Sequence, residues 1–482
     1  MTELELGQTA AAGNDEADLK AMGYSQELFR SLGGFSNFAV SFSIISILTG
    51  AVTLYGHGLI HGGPFVMSIG WLIVTILVLP VAASLAELAS AFPTAGALYH
   101  WSSFLGNKHW GWFTAMFNLI GQFAITAGIG YGLADFLMPL LGLADSPNFV
   151  TLRLVVYAAI LLSHALLNHF GIGLVGILND LSAWYHMAGV AVLIVALGFF
   201  APHQPVEFLW TTTHTAPFPY WYAFPVALLQ AAWTYTGYDA SAHVSEETKN
   251  PRMIAPWGIF LSVAVSGVFG WLLLLVVTIS IQDISLAQAA SNPFIYILST
   301  ALGHKMGFAL TWVCAMAMWF CGLASVTSNS RMIYAFSRDH GMPFSRFWAR
   351  VSPRFKTPAE AIWLSAIAAF LLGVYGGVYS VIVSISTIAL YISYGLPIFI
   401  GLRARQSGLW KVRGPWHLGK HSGWINVLSL FWVAAMCVLF VIPPNQLTGY
   451  TIGGLSVFLV LLYQFGGIRR KYDGPPKSHL DS

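Results

Sequence analysis

The chain has 482 residues, of which 56% are hydrophobic and only 9% charged. A soluble chain of this length carries about 25% charged residues, so a water-soluble globular protein is excluded and a polytopic membrane protein is expected. The formal net charge of +3 matters less than where the charges lie.

Residues 1–30 are polar and lack the apolar core of a cleavable signal peptide. The first spanning segment is therefore expected to direct insertion. The first twenty or so residues are expected to be disordered, and Gln26–Ser31 to form a short helix on the membrane surface. Twelve apolar segments follow, at about 35–61, 65–85, 110–139, 152–168, 180–200, 222–244, 256–281, 306–334, 359–377, 379–402, 424–442 and 449–467. Only the Gly376–Gly377 region separates the ninth from the tenth. With twelve spans and a cytoplasmic N-terminus, every Lys and Arg except Arg153 and Lys305 falls on the cytoplasmic side, Lys477 in the C-terminal tail included. That asymmetry satisfies the positive-inside rule. Cys314, Cys321 and Cys437 lie in apolar runs and read as small buried hydrophobes.

The first segment, Phe35 to Pro64, is long enough to cross a bilayer, which takes about 20 apolar residues. It is nevertheless a poor helix. Thr49, Gly50 and Thr53 lie near its centre, and Gly56, Gly58, Gly62 and Gly63 follow; glycine costs roughly 1 kcal/mol relative to alanine inside a helix. It reads as two half-helices around a central break, or else as a glycine-rich packing face. Residues 86–106, AELASAFPTAGALYHWSSFLG, read as a re-entrant or interfacial stretch after the second span. The short outer loops carry Trp, Tyr and His, and 285–304 is expected to place a short helix over the entrance.

The sixth segment weakens in the same way across Trp233-Thr234-Tyr235-Thr236-Gly237-Tyr238-Asp239. A charge at bilayer depth costs several kcal/mol unless it is paired or faces a cavity. Asp239 is therefore expected to face inward, as a gate or site residue or as the cap of a second half-helix. Breaks in spans one and six are five apart. Paired broken helices in corresponding positions point to a transporter of inverted repeats with its substrate between them. Free amide groups near Thr49, Gly50 and Ala51 would hold a carboxylate there.

Four stretches carry a resemblance: LTG before GLIHGGP, AELASAFPTAGALYHW, TGYDASAHVSEETKNPRMIAP and SVTSNSRMIYAFSRDHGMP. Across about residues 30–470 the chain resembles the amino acid–polyamine–organocation permeases, in particular their bacterial branch related to GABA and choline permeases. The resemblance implies an all-α fold of twelve spans: a ten-helix inverted-repeat core at 35–402, with repeats at about 35–200 and 222–402, and two further helices at 424–467. A cytoplasmic loop at 403–423 and tails at 1–34 and 468–482 complete the layout. Leu48-Thr49-Gly50 stands where many members have Gly-Ser-Gly at the carboxylate site, so Leu48 departs from the pattern. Trp233 stands where a relative lines its substrate with tryptophan, and Gly237-Tyr238-Asp239 where that relative has a gate glutamate. Thr49, Gly50, Ala51, Trp233, Thr236, Gly237, Tyr238 and Asp239 are the implied substrate site. Ala324, Thr327 and Ser328 match the spacing of a sodium site in distant relatives, although such hydroxyls also bond back to their own helix. His186 stands roughly where proton-coupled relatives carry lysine, and histidine titrates near neutral pH.

The expected function is secondary transport of an amino acid or related amine in a cytoplasmic membrane. Proton symport is placed ahead of sodium coupling or exchange, and no cofactor or metal is called for. An intramembrane protease is disfavoured, since no second Gly-x-Gly-Asp and no His-Glu-x-x-His occur. His164 and His169, five apart, do not share a helix face as haem ligands would. A channel is the remaining rival class.

Overall fold

The computed structural model describes residues 15–476 apart from 171, 377, 378 and 412. Residues 1–14 of the expected disordered tail, Gly377 between the ninth and tenth segments, and Lys477 lie outside the described residues. The described chain is helical, and its one β-bridge joins Leu32 to Thr248.

Among the described residues, ten stretches are long and apolar enough to cross a membrane. Two more segments fall short of that length: the sixth, broken into short pieces, and the ninth, whose apolar helix is Ala359–Tyr375. Together they make the expected twelve. Span 1 runs through Gly34–Ile45, Ile47–Thr53 and Tyr55–Phe65, and span 2 through Trp71–Ala91. The chain reverses between them at Gly63, whose φ of 64° suits glycine. Spans 3, 4 and 5 are Lys108–Leu140, Phe149–Phe170 and Ile172–Phe200. Span 6 comprises Tyr220–Ala227, Leu229–Thr234 and Ala240–His243, and span 7 is Pro251–Ile279. Spans 8 to 12 are His304–Arg338, Ala359–Gly376, Tyr379–Gln406, Ser422–Leu439 and Gln446–Phe465. The stretch read as interfacial after span 2 contains the buried helix Leu98–Leu105. The expected outer cap is two short helices, Ile284–Ala289 and Pro293–Leu302.

In a bilayer, helices gain little from hiding apolar surface from one another, so association depends on close packing of small residues. Span 2 meets span 7 in this way. A Cβ on Gly270 would lie 2.3 Å from the Trp71 ring, and one on Gly267 would lie 2.5 Å from Thr75. Span 3 packs against span 10 where a Cβ on Gly121 would come within 2.6 Å of Leu390.

The two described ends meet, since a Cβ on Gly23 would come within 2.6 Å of Pro476. The N-terminal stretch departs from expectation: residues 15–21 are helical, and Gln26–Ser31 is not. Leu19, Met22, Tyr24 and Leu28 are buried. Ser31 and Leu32 donate their amides to Glu247 O, Gln26 Nε2 donates to Glu246 O, and Arg30 bonds the carbonyls of Ser245 and Thr248. The end of span 6 supplies more acceptors than a surface helix would have, and the chain extends to use them.

The same side carries a buried polar cluster. Arg331 pairs with Glu247 at 2.7 Å, and Arg338 with Glu246 at 2.9 Å. Asp339 accepts from Tyr24, Tyr99 and His100. Burial alone would raise the Asp339 carboxyl, but bonds from His100 and Tyr99 and the Arg338 charge hold it below its ordinary value. Burial likewise opposes ionisation of Glu246, and the Arg338 charge and the Ala95 amide outweigh it, so it too is lowered. Arg153 pairs with Asp135 on the opposite side, beside the span 3–span 4 connection.

Candidate substrate site at two broken helices

Span 1 breaks at Ser46, whose φ of 35° is left-handed. Such a backbone costs about 1–3 kcal/mol in a non-glycine residue and persists only when its surroundings fix it. Here the Ser46 hydroxyl is held by Thr49 Oγ1 at 2.6 Å and by His186 Nε2 at 2.7 Å. The break therefore lies three residues before Thr49. The sequence placed the free amides at Thr49, Gly50 and Ala51. In the structure Thr49 and Gly50 donate to Ser46 O, and Ala51 lies inside the helix. The amides left without a partner among the described residues are Ile47 and Leu48, and the Ile45 carbonyl is also free.

Span 6 unwinds after Thr234. Thr236 folds back, with its N–H and hydroxyl both on Trp233 O. Gly237 has φ of +90°, and a Cβ there would sit 2.3 Å from Ile44 of span 1. A Cβ on Gly50 would sit 2.4 Å from Thr234 Oγ1 and 2.8 Å from its Cα. Glycine at both positions lets the two breaks touch. The carbonyls of Thr234 and Tyr235 end the first half of span 6 without a partner among the described residues.

A small cavity of about 10 Å³, room for about one water molecule, lies at this meeting point, lined by Ile44, Ile45, Thr49, Gly50, Ile125, Ile129, Trp233 and Thr234. Of the residues expected from sequence, Thr49, Gly50 and Trp233 are on its wall. Ala51 is behind it, its carbonyl taken by Gln230 at 2.9 Å. Thr236, Gly237, Tyr238 and Asp239 do not line it. The Tyr238 carbonyl accepts from Ser41, and its ring packs on Tyr394. Asp239 accepts from Tyr394 at 2.8 Å, from Asn118 at 3.3 Å and has His243 at 3.2 Å. It makes no cap bond to the second half of span 6. Asp239 turns towards spans 3 and 10 because the donors are there. Sequence reading missed Ile44, Ile45, Ile125, Ile129 and Thr234. Ile125 and Ile129 stand four apart on one face of span 3, a signal present but common to any apolar helix.

The coupling residues separate. His186 packs on the break of span 1, whereas Thr327 donates to Asn168 of span 4 at 2.7 Å and Ser328 receives Gln122 of span 3 at 3.4 Å. Thr327 and Ser328 thus take their partners on spans 4 and 3, and Thr327 shares no partner with His186. Span 8 instead presents Cys321, whose Sγ lies 3.3 Å from Ile44 O.

Two helices unwound against each other around a small cavity, in a bundle of twelve crossing segments, define a secondary transporter and not an enzyme. The chain belongs to the amino acid permease family, whose model matches residues 32–463. Relatives include "Amino-acid permease BAT1 homolog" of Oryza sativa subsp. japonica, 36% identical with 98% of each chain covered. "Amino-acid permease BAT1" of Arabidopsis thaliana is also 36% identical, over 95% of each chain. A "Putative polyamine transporter" of Candida albicans is 28% identical, over 89% of this chain and 81% of its own. These relatives are plant and fungal, so they lend no support to the bacterial branch that the sequence suggested.

Proposed function

We propose that the protein imports a small neutral amino acid by alternating access, coupled to protons through His186, in the cell membrane with both termini in the cytoplasm. The core is two five-span repeats, at about 35–200 and 222–402. The observation that carries the substrate class is the wall of the cavity, on which no charged side chain stands. A zwitterion can be received there by backbone alone once the two breaks part. Its carboxylate would meet the free amides of Ile47 and Leu48, and its amine the free carbonyls of Ile45, Thr234 and Tyr235 and the Trp233 face. A polyamine would bring several charges to a site with no counter-charge, at high desolvation cost. In this conformation the cavity has room for about one water molecule, so a substrate enters only when the two breaks part.

The hydrogen bonds of His186 support a coupling route through this residue. Its Nδ1 lies 2.8 Å from Ser182 O, which can only accept, so Nδ1 carries a hydrogen. In the neutral ring Nε2 then accepts from Ser46. A proton added at Nε2 reverses that bond, and the Ser46 hydroxyl must turn to Thr49 Oγ1 on the cavity wall. Proton binding and the substrate site thus share one hydroxyl chain.

The test is uptake into proteoliposomes under an imposed pH gradient, with and without sodium. Neutral amino acids should be concentrated without sodium, whereas polyamines and choline should neither be taken up nor compete. Sodium-dependent uptake, or concentration of a polyamine, overturns the proposal.

A further inference from the structure

His243 is fully buried on the second half of span 6, and its side chain and that of Asp239 expose no surface. Its Nδ1 lies 2.9 Å from Ala95 O, in the connection between spans 2 and 3. A carbonyl only accepts, so Nδ1 carries a hydrogen. Its Nε2 lies 3.2 Å from Asp239 Oδ2. With Nδ1 already protonated, a neutral ring presents a lone pair at Nε2. A hydrogen bond to a carboxylate oxygen then needs one further proton, on Nε2 or on Oδ2. Either placement leaves the pair neutral overall. Without that proton, a carboxylate and a lone pair would face each other inside the protein.

Among the described residues, no neighbouring cation relieves this. Tyr394 of span 10 receives the Gly237 amide at 3.0 Å and gives its own proton to Asp239 Oδ1. Asn118 of span 3 is neutral and is shared with Ser393, and its Oδ1 is buried without a partner. Span 1 offers Ser41, bonded to Tyr238 O and Ser241. Further along the same segment Glu246 and Glu247 are paired with Arg338 and Arg331 of span 8. The Ala95 amide is taken by Glu246 Oε1.

We infer that Asp239 and His243 form a second proton-binding site, separate from His186, whose single shared proton keeps the second half of span 6 docked on the span 2–span 3 connection and on span 10. Loss of the proton sets Nε2 against Oδ2 and releases that half-helix, opening the mouth on the side of the chain ends. The role in opening rests on the transport reading above, whereas the proton itself does not.

Thermal unfolding of the purified protein from neutral to alkaline pH tests the proton directly. A folded state that holds one proton more than the unfolded chain loses tenfold in its folding equilibrium per pH unit. Asp239→Asn can donate an amide hydrogen to Nε2 and holds no dissociable proton, so its stability should decline less steeply than wild type by that tenfold per unit. His243→Gln donates to Asp239 and should flatten the slope equally, and it serves if the first variant does not fold. His186→Gln should keep the wild-type slope. Equal slopes in wild type and in whichever of Asp239→Asn or His243→Gln folds overturn the site. The second measurement is substrate counterflow in proteoliposomes at equal pH on both sides. Wild-type exchange should change with pH, and Asp239→Asn should change less steeply over the same range, keeping only the share due to His186. A flattened stability slope with an unaltered pH profile of exchange would retain the proton and refute its role in opening. A flattened slope with no amino acid exchange by wild type would instead refute the transport reading.

Discussion

Gly50→Ala probes the contact on which the site depends. The added Cβ would lie 2.4 Å from Thr234 Oγ1, 2.7 Å from its Cβ and 2.8 Å from its Cα. Carbon atoms rest about 3.5–4.0 Å apart, so spans 1 and 6 must part by roughly 1 Å. A rotamer change can move the hydroxyl but not the Cα. Overpacking of this kind costs about 1–3 kcal/mol, equivalent to about 5- to 150-fold in an equilibrium. The cost falls on the conformation in which the breaks touch and is absent wherever they separate. Transport should fall by about tenfold or more while the amount of folded protein in the membrane stays near wild type. The assay is uptake normalised to detergent-extracted monodisperse protein. Thr234→Gly added to Gly50→Ala removes the two side-chain clashes and should restore part of the activity. Wild-type uptake by Gly50→Ala would refute the view that the two breaks must meet during transport.

Ile125→Ala should widen the cavity and admit larger neutral side chains, read as competition by bulkier amino acids against the best substrate. Arg331→Met should lower thermal stability by about 3–5 kcal/mol because it leaves Glu247 buried without its partner. Adding Glu247→Met should recover most of that loss. Asp339 and Glu246 are held below their ordinary values, so the stability they contribute is full above the unfolded-chain values and disappears as pH falls through the folded ones. The melting temperature should therefore drop in strong acid, and Asp339→Asn should make that drop shallower.

The sequence by itself determined the class. A charge content too low for a soluble surface, twelve apolar runs and basic residues gathered on one side leave a polytopic helical bundle as the only way to bury so much apolar chain. It also pointed to interruptions in spans one and six, because glycine and hydroxyl residues recur where a continuous helix would use alanine and leucine, although a glycine-rich packing face would read the same way in span one. The tertiary structure alone decided where the breaks fall and what faces them. Ser46 has no intrinsic preference for a left-handed backbone; His186, 140 residues away, holds it there. Asp239 looked like a substrate contact because a lone acid in an apolar run must find a partner, but local spacing cannot say which. Tyr394 and Asn118 come from spans 10 and 3 and turn it away from the cavity. Thr327 and Ser328 have the spacing of one site, yet their donors and acceptors lie on different spans. Hydrogen-bond direction at a buried group is set by the nearest partner in space, and in a bundle of crossing helices that partner is seldom near in the chain.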